Sequence, residues 1–305
     1  MIDVVCNIDD NYTEYCGVTL SSLFASTPEE RFRIHIICHN LSDRSKDRLT
    51  NFCGRHGNLI CFYEVSDDMI KGFPIGNHKY ISVATYLRLF MSDLLPDDID
   101  KVLYLDCDIM VIHSVKELWN IDVSDVALAG VEDQEELVEK APMRLGYPQQ
   151  YGYVNAGVLL VNLKYWREKH LTECGKKFIM ENRTQLLFHD QDVLNALFYN
   201  NKKLIPMRWN LMDFFLMKNY VSPMHRKDEY QEALKNPVII HFTGAKKPWM
   251  HRCSHPFQDS YIRLAHREGW KIMSIKEYVH YILRKWLYRV IRKKSKMLTL
   301  SVIGK

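Results

Sequence analysis

Short apolar runs alternate with helical segments through the first 65 residues, and this alternation restricts the fold more than any other feature. Ile2 to Ile8 reads as a strand buried on both faces, and it runs into the polar turn Asp9-Asp10-Asn11-Tyr12. From Thr13 to Ser26 the apolar residues Val18, Leu20, Leu23 and Phe24 recur at helical spacing, and the helix stops before Pro28. Phe32 to Cys38 reads as a second strand. Ser42 to His56 reads as a helix N-capped by Ser42, with Leu49, Phe52 and Cys53 inward, and Leu59 to Val65 as a third strand. Repeated strand–turn–helix units predict an α/β chain with a parallel sheet, whose ligands sit at the C-terminal strand ends.

The run Val102 to Leu105 is another buried strand, and it ends in Asp106 and Asp108, one residue apart. Side chains two apart on extended chain point to one side, so this strand end presents paired carboxylates. The pair admits two readings, a solvated loop or a site for a hard divalent cation that in turn holds phosphate oxygens. Ser82 to Leu95 is expected to be a helix. Its Arg88, set among Tyr86, Leu87, Leu89 and Phe90, is either a surface arginine or a clamp for phosphate or carboxylate. Val126 to Val131 is a strand ending in Glu132-Asp133. Asn155-Ala156-Gly157 opens the apolar run Tyr153 to Leu163, either as a plain tight turn or as a close backbone approach to a ligand. His189-Asp190-Gln191-Asp192 starts a helix running to Tyr199, where acids are often only caps. His241 lies in the late strand Asn236 to Phe242, as a core histidine or as a ligand. It precedes Thr243-Gly244-Ala245-Lys246-Lys247-Pro248-Trp249, a cradle fit for a diphosphate.

Taken in order, these motifs resemble glycosyltransferase family eight, which includes bacterial lipopolysaccharide galactosyl- and glucosyltransferases and, more distantly, glycogenin. The likeness covers roughly residues 1–265. It implies a GT-A fold, a nucleotide-binding α/β domain with a mixed central sheet flanked by helices, and a Mn²⁺-dependent (Mg²⁺ possible) transfer from a UDP-sugar with retention of configuration. By position the resemblance makes Asp106, Asp108 and His241 the metal ligands. It places Asp9, Asn11, Gly244 and Lys247 on the uridine and diphosphate, and Arg88, Asp133, Asn155, Ala156, Asp190 and Gln191 around the donor sugar. Gln191 and Asp190 are then the catalytic pair, stabilising an oxocarbenium-like sugar in a front-face reaction; a transient covalent adduct is the other route.

A sugar-nucleotide pyrophosphorylase is the rival enzyme, but Asp9 to Tyr12 is not the Gly-rich phosphate loop it would need. An inactive sugar-binding module fits poorly with an intact Asp-x-Asp and His241. Charge bears on a third rival, a non-catalytic binder of nucleic acid or anionic lipid. Residues 271–305 carry ten Lys/Arg and one acid, while residues 1–270 carry 31 Lys/Arg against 36 acids. An acidic body argues against nucleic acid, which needs an extended basic face.

The expected division is a catalytic domain over 1–270 and a basic amphipathic tail over 271–305. In the tail Val279, Ile282, Leu283, Trp286 and Val290 share one helical face. Arg284, Lys285 and Arg292 share the other, with Tyr281 and Tyr288 among them, and Lys293, Lys294 and Lys296 follow. Such a helix lies in the plane of an anionic membrane or packs on the body with a solvated basic face. No basic n-region precedes an apolar run at the N-terminus, and no uncharged stretch reaches membrane-span length. The expectation is a cytoplasmic enzyme, peripheral on the inner face of the plasma membrane, acting on a saccharide or glycolipid acceptor. Eight cysteines without Cys-x-x-Cys spacing read as free thiols in a reducing compartment.

Overall fold

Three of the expected strands form as read: β1 (Ile2–Ile8), β2 (Phe32–Cys38) and β3 (Leu59–Glu64). The computed structural model describes residues 1–74, 83–217 and 219–287. Residues 75–79 of the Gly/Pro loop, Ser82, Tyr288, Val290, Arg292, Lys293, Lys294 and Lys296 lie outside that set. The helix Thr13–Ser26 has the bounds read from the sequence, and Asp43–Arg55 is capped by Ser42, whose hydroxyl accepts from the Ser45 N–H. The central strands are β4 (Lys101–Leu105), β6 (Leu128–Glu132), β7 (Val154–Asn162) and β8 (Lys202–Leu204), and the sheet order is β3-β2-β1-β4-β7-β6-β8. The first four strands in that order run parallel. β7 is antiparallel to both β4 and β6, so the sheet is mixed. A second sheet, β5-β10-β9, is built from β5 (Ile109–Val111), β9 (Leu211–Met212) and β10 (Ile239–His241).

Alternation along each central strand feeds two apolar layers. Val4, Cys6 and Ile8 join Ile34, Ile36, Leu103 and Leu105 on one face, and Val5 joins Ile37, Val102, Tyr104 and Leu159 on the other. Covering both faces is what a buried, near-continuously apolar strand requires. All eight cysteines are free thiols, seven of them buried or half-buried.

One expected helix takes a different form. Val83–Phe90 is a 3-10 helix and only Met91–Leu94 is α-helical. Side chains claim carbonyls there: Thr172 Oγ1 donates to Leu89 O at 3.0 Å and Arg88 Nε points at Thr85 O. Such competition favours the tighter winding.

The chain does not separate cleanly after Trp270. The Trp270 indole lies against Gly17, its Nε1 donates to Ser21 Oγ at 2.9 Å, and Ile272 and Tyr281 are buried in the same layer. A helix over 275–287 then packs on the body. Its inward face is the polar and aromatic one. Tyr281 OH donates to Asp259 at 2.8 Å, Lys285 pairs with Asp259 at 2.7 Å, Arg284 reaches Gln258 and the Cys253 carbonyl, and His251 meets Glu277. Ile275, Val279, Ile282, Leu283, Trp286 and Leu287 remain exposed. The sequence separates the two faces correctly, but the packed surface is not the apolar one.

Two glycines of like local structure test the Trp270 packing. A Cβ on Gly17 collides with the indole, whereas a Cβ on helical Gly54 meets nothing within 4 Å. Overpacking costs about 1–3 kcal/mol, more than the roughly 1 kcal/mol that alanine gains over glycine in a helix. Gly17→Ala is therefore expected to lower the denaturation midpoint and Gly54→Ala to raise it. Equal shifts in urea titrations would contradict the packing.

Candidate active site

Two strand registers assemble the site. Beyond Leu105 the β4–β7 pairing continues, and Asp106 N donates to Gly157 O at 2.8 Å. Two residues later the chain enters the small sheet, where Ile109 pairs with His241 and Phe242 N donates to Asp108 O at 2.9 Å. His241 also pairs with Met212 on the other side. Asp106 and Asp108 thus converge with His241 from two distant places in the chain, with one ligand atom of each within 4.8 Å of the others. His241 Nε2 lies 3.2 Å from Asp108 Oδ1 and 3.9 Å from Asp106 Oδ2. Gly157 makes room for this group: a Cβ there would run into His241 Cε1 and sit 2.9 Å from Asp106 Oδ2. Two carboxylates and one imidazole are a donor set suited to a borderline divalent cation.

The charges around the group are strongly coupled. Burial works against ionised Asp108, but Lys247 and then His241 hold its carboxyl far below the usual range. Burial likewise opposes protonation of His241, yet Asp108 and Asp106 raise its affinity for a proton. Lys247 Nζ bonds Asp108 Oδ2 and the Phe242 carbonyl, each at 2.6 Å, while neighbouring Lys246 is exposed. Spacing alone leaves both lysines available; the fold turns one inward.

Arg88 is buried and acts as the carboxylate clamp. Its Nη2 donates to Asp106 Oδ1 at 3.0 Å, its Nη1 to the Ala156 carbonyl, and its Nε sits 2.6 Å from Asp190 Oδ2. The Nε hydrogen points at Thr85 O, so the Asp190 contact is coulombic, and Asp190 Oδ2 is buried without a hydrogen-bond donor. Burial, and then the Asp106 charge against the pull of Arg88, pushes the Asp190 carboxyl up to about 7.

Gln191 is fixed at both ends. Its Oε1 accepts from Ala156 N at 2.9 Å and its Nε2 donates to Asp133 Oδ2 at 3.0 Å. Asn155 Nδ2 donates to the same Asp133 oxygen at 3.0 Å. Burial raises the Asp133 carboxyl although Asn155, Gln134 and Gln191 all donate to it. His189 adopts a left-handed φ of 50° and turns the chain into the helix His189–Leu197, placing Asp190 and Gln191 in its first turn. Asp192 instead pins the preceding loop, accepting from Arg144, from Tyr153 OH and from the Leu187 and Phe188 amides.

Asp9 and Asn11 sit at the C-terminal end of β1, with Asn11 N donating to Asp9 Oδ1 at 3.0 Å. Trp249 ties this turn to the Gly244–Lys247 loop, stacking on Tyr15 at 3.7 Å and meeting Tyr12 edge-on. Gly244 N donates to Asp213 Oδ2 at 3.1 Å. Hydrogen bonds and ion pairs link Arg88, Asp133, Asn155, Ala156, Asp190, Gln191, His241 and Lys247 to Asp106 and Asp108, while Asp9 and Asn11 are joined to this side only through the Tyr12–Trp249 contact and Gly244 through Asp213. Asn210, Asp213 and Tyr104, whose hydroxyl donates to Asp106 Oδ1 at 2.8 Å, are additional. Asn210 and Asp213 flank β9, a strand of only two residues that carries no periodic signal, and Tyr104 sits inside an apolar run.

Likeness to known proteins agrees with this geometry. The model of the glycosyl transferase family 8 matches residues 3–253. General stress protein A of Bacillus subtilis (strain 168) is 31% identical over 278 residues, spanning 88% of this chain and 95% of its own. Lipopolysaccharide 1,2-glucosyltransferase of Escherichia coli (strain K12) is 27% identical over 271 residues, 88% of this chain and 79% of its own. The crystal structure of the galactosyltransferase LgtC with donor and acceptor sugar analogs superposes with a TM-score of 0.77 at 30% identity, covering 87% of this chain and 96% of that one. The chain belongs to glycosyl transferase family 8 and is a nucleotide-sugar-dependent glycosyltransferase of the GT-A fold.

Proposed function

We propose that the protein moves a hexose, galactose or glucose, from a UDP-sugar to a saccharide acceptor on a lipid-linked glycan such as lipopolysaccharide, with retention of configuration and dependence on Mn²⁺. The observation that carries this reading is the convergence of Asp106, Asp108 and His241 beside the inward-turned Lys247. Relatives named for glucosyl and galactosyl transfer to lipopolysaccharide support the substrate class.

In this reading Asp106, Asp108 and His241 hold the cation, and an N-containing ligand set favours Mn²⁺ over Mg²⁺. When bound, the cation supplies positive charge beside the diphosphate as the UDP leaving group departs. Lys247 adds a second positive charge on the same side, while Asp9 and Asn11 line the nucleoside end. Asp190, held against Arg88, stands on the side of the donor sugar. Gln191, clamped by Ala156 and Asp133, presents its amide oxygen to the sugar's developing positive charge; an amide so held is a weak nucleophile, which favours the front-face route. A crystal structure of LgtC carries a glutamine-to-glutamate change in its active site, which supports a role for a glutamine there.

The tail supports a membrane setting. No helix among the described residues is long and apolar enough to cross a bilayer. The exposed stripe Val279, Ile282, Leu283 and Trp286 is followed in the sequence by the basic residues near the chain end. This combination suits a helix lying on the anionic cytoplasmic leaflet, where a lipid-linked acceptor is found.

Three measurements test the reading. Asp108→Asn is expected to keep the fold and lower Mn²⁺-dependent UDP-sugar hydrolysis at least about a hundredfold; near-normal turnover would sink the metal assignment. Lys247→Ala is expected to weaken UDP binding and Lys246→Ala to leave it nearly unchanged, because only Lys247 faces the carboxylates. Equal effects would reduce the loop to a basic patch. Replacing Ile282, Leu283 and Trp286 together by serine should abolish sedimentation with anionic vesicles and leave hydrolysis intact. Undiminished sedimentation would remove the membrane reading.

A further inference from the structure

We propose that Asn210 is a positioning residue, a single buried amide that fixes the metal-facing tautomer of His241 and the orientation of the donor-sugar residue Asn155. This rests on the metal reading of Asp106, Asp108 and His241. Asn210 is fully buried immediately before β9, the strand that pairs Met212 with His241. Its Oδ1 lies 2.9 Å from His241 Nδ1 and its Nδ2 lies 2.9 Å from Asn155 Oδ1.

The direction of each bond follows from one backbone group. Gly157 N–H can only donate, and it reaches Asn155 at 3.0 Å, so the atom it meets is the Asn155 carbonyl oxygen. The Asn155 amino group is then the one facing the Asp133 carboxylate, which can only accept in its ionised form. Since Asn155 offers an oxygen to Asn210, Asn210 must turn its NH₂ that way and its oxygen toward His241. That oxygen needs a hydrogen, so His241 Nδ1 carries one. Nε2, the nitrogen 3.2 Å from Asp108 Oδ1, is then the one that faces the carboxylates, and a cation held there would meet the lone pair of the neutral imidazole on it. Orientation of a metal-ligating histidine through its other nitrogen is a recurrent device, and losing the partner typically costs 10–100-fold in metal affinity. Here the partner also braces the sugar pocket, since Asn155 shares Asp133 with Gln191.

The two arms separate by substitution. Asn210→Asp keeps an oxygen acceptor for His241 Nδ1–H but sets a carboxylate oxygen against Asn155 Oδ1. Asn210→Leu removes both bonds at similar volume. Mn²⁺ affinity is read without turnover, from the EPR signal of free Mn²⁺ titrated into protein with UDP. Binding of UDP-galactose and UDP-glucose relative to UDP reads the sugar arm, and thermal melting verifies folding. Asn210→Leu should weaken Mn²⁺ binding by about 10–100-fold and also lose the sugar-dependent part of donor binding. Asn210→Asp should hold Mn²⁺ within about threefold of the parent, on the same grounds, and lose only the sugar-dependent part. A folded Asn210→Leu with parental Mn²⁺ affinity overturns the proposal. So does an Asn210→Asp that loses Mn²⁺ as severely as Asn210→Leu, or one that keeps full sugar discrimination; the Asp variant alone decides if the Leu variant does not fold. A parental protein that binds no Mn²⁺ with UDP overturns the metal reading itself, a result distinct from any of these.

Discussion

Everything in the site depends on where two sheets meet, at Asp106-Cys107-Asp108. Asp106 is still bonded to the large sheet through Gly157, and Asp108 already belongs to the small one through Phe242. Each bond is a backbone register, not a side-chain choice. A slip of one residue in either sheet would turn a carboxylate to the opposite face, since side chains alternate along a strand. The β5–β10 pairing, three residues long, therefore contributes little to stability but determines whether His241 reaches the carboxylates. Gly157 completes the constraint, because only a residue without Cβ lets the β7 backbone lie so close to the imidazole.

Such convergence has an electrostatic cost. Two carboxylates about 5 Å apart repel by roughly 3 kcal/mol at an effective dielectric constant near 20. Asp133 and Asp190 add further buried acid. The protein offsets this with Arg88 on Asp106 and Asp190, Lys247 on Asp108, and neutral amides around Asp133. The compensation is uneven. Lys247 and His241 hold Asp108 deep in the ionised range, while burial keeps Asp190 near neutrality despite Arg88 at 2.6 Å.

Much of this is legible in the residues. The first three strands and two helices follow from apolar spacing and a serine cap, and the site motifs stand at strand ends where parallel topology puts ligands. Register and side-chain partnership are not legible. Arg88 reads equally well as a surface residue until the 3-10 turn buries it over Tyr104 and Asp106. Asn210 has no pattern around it, because a strand of two residues shows no alternation. Lys246 and Lys247 are chemically identical, and only the turn after Phe242 distinguishes them.

The tail shows most directly how burial pattern and periodicity part company. Helical spacing identifies an apolar stripe, and the ordinary inference is that such a stripe packs inward. On this body the docking surface near Gln258 and Asp259 is polar, so Tyr281, Arg284 and Lys285 satisfy it with hydrogen bonds and ion pairs. The stripe is thereby turned to solvent, with Ile275 86% and Trp286 61% exposed. A contiguous apolar surface left in water marks an interaction site. Because the body is acidic and the chain end basic, an anionic bilayer would attract the tail and repel the body. On the membrane proposed here that sign pattern would orient the enzyme as well as hold it, with the helix against the surface and the acidic body facing away.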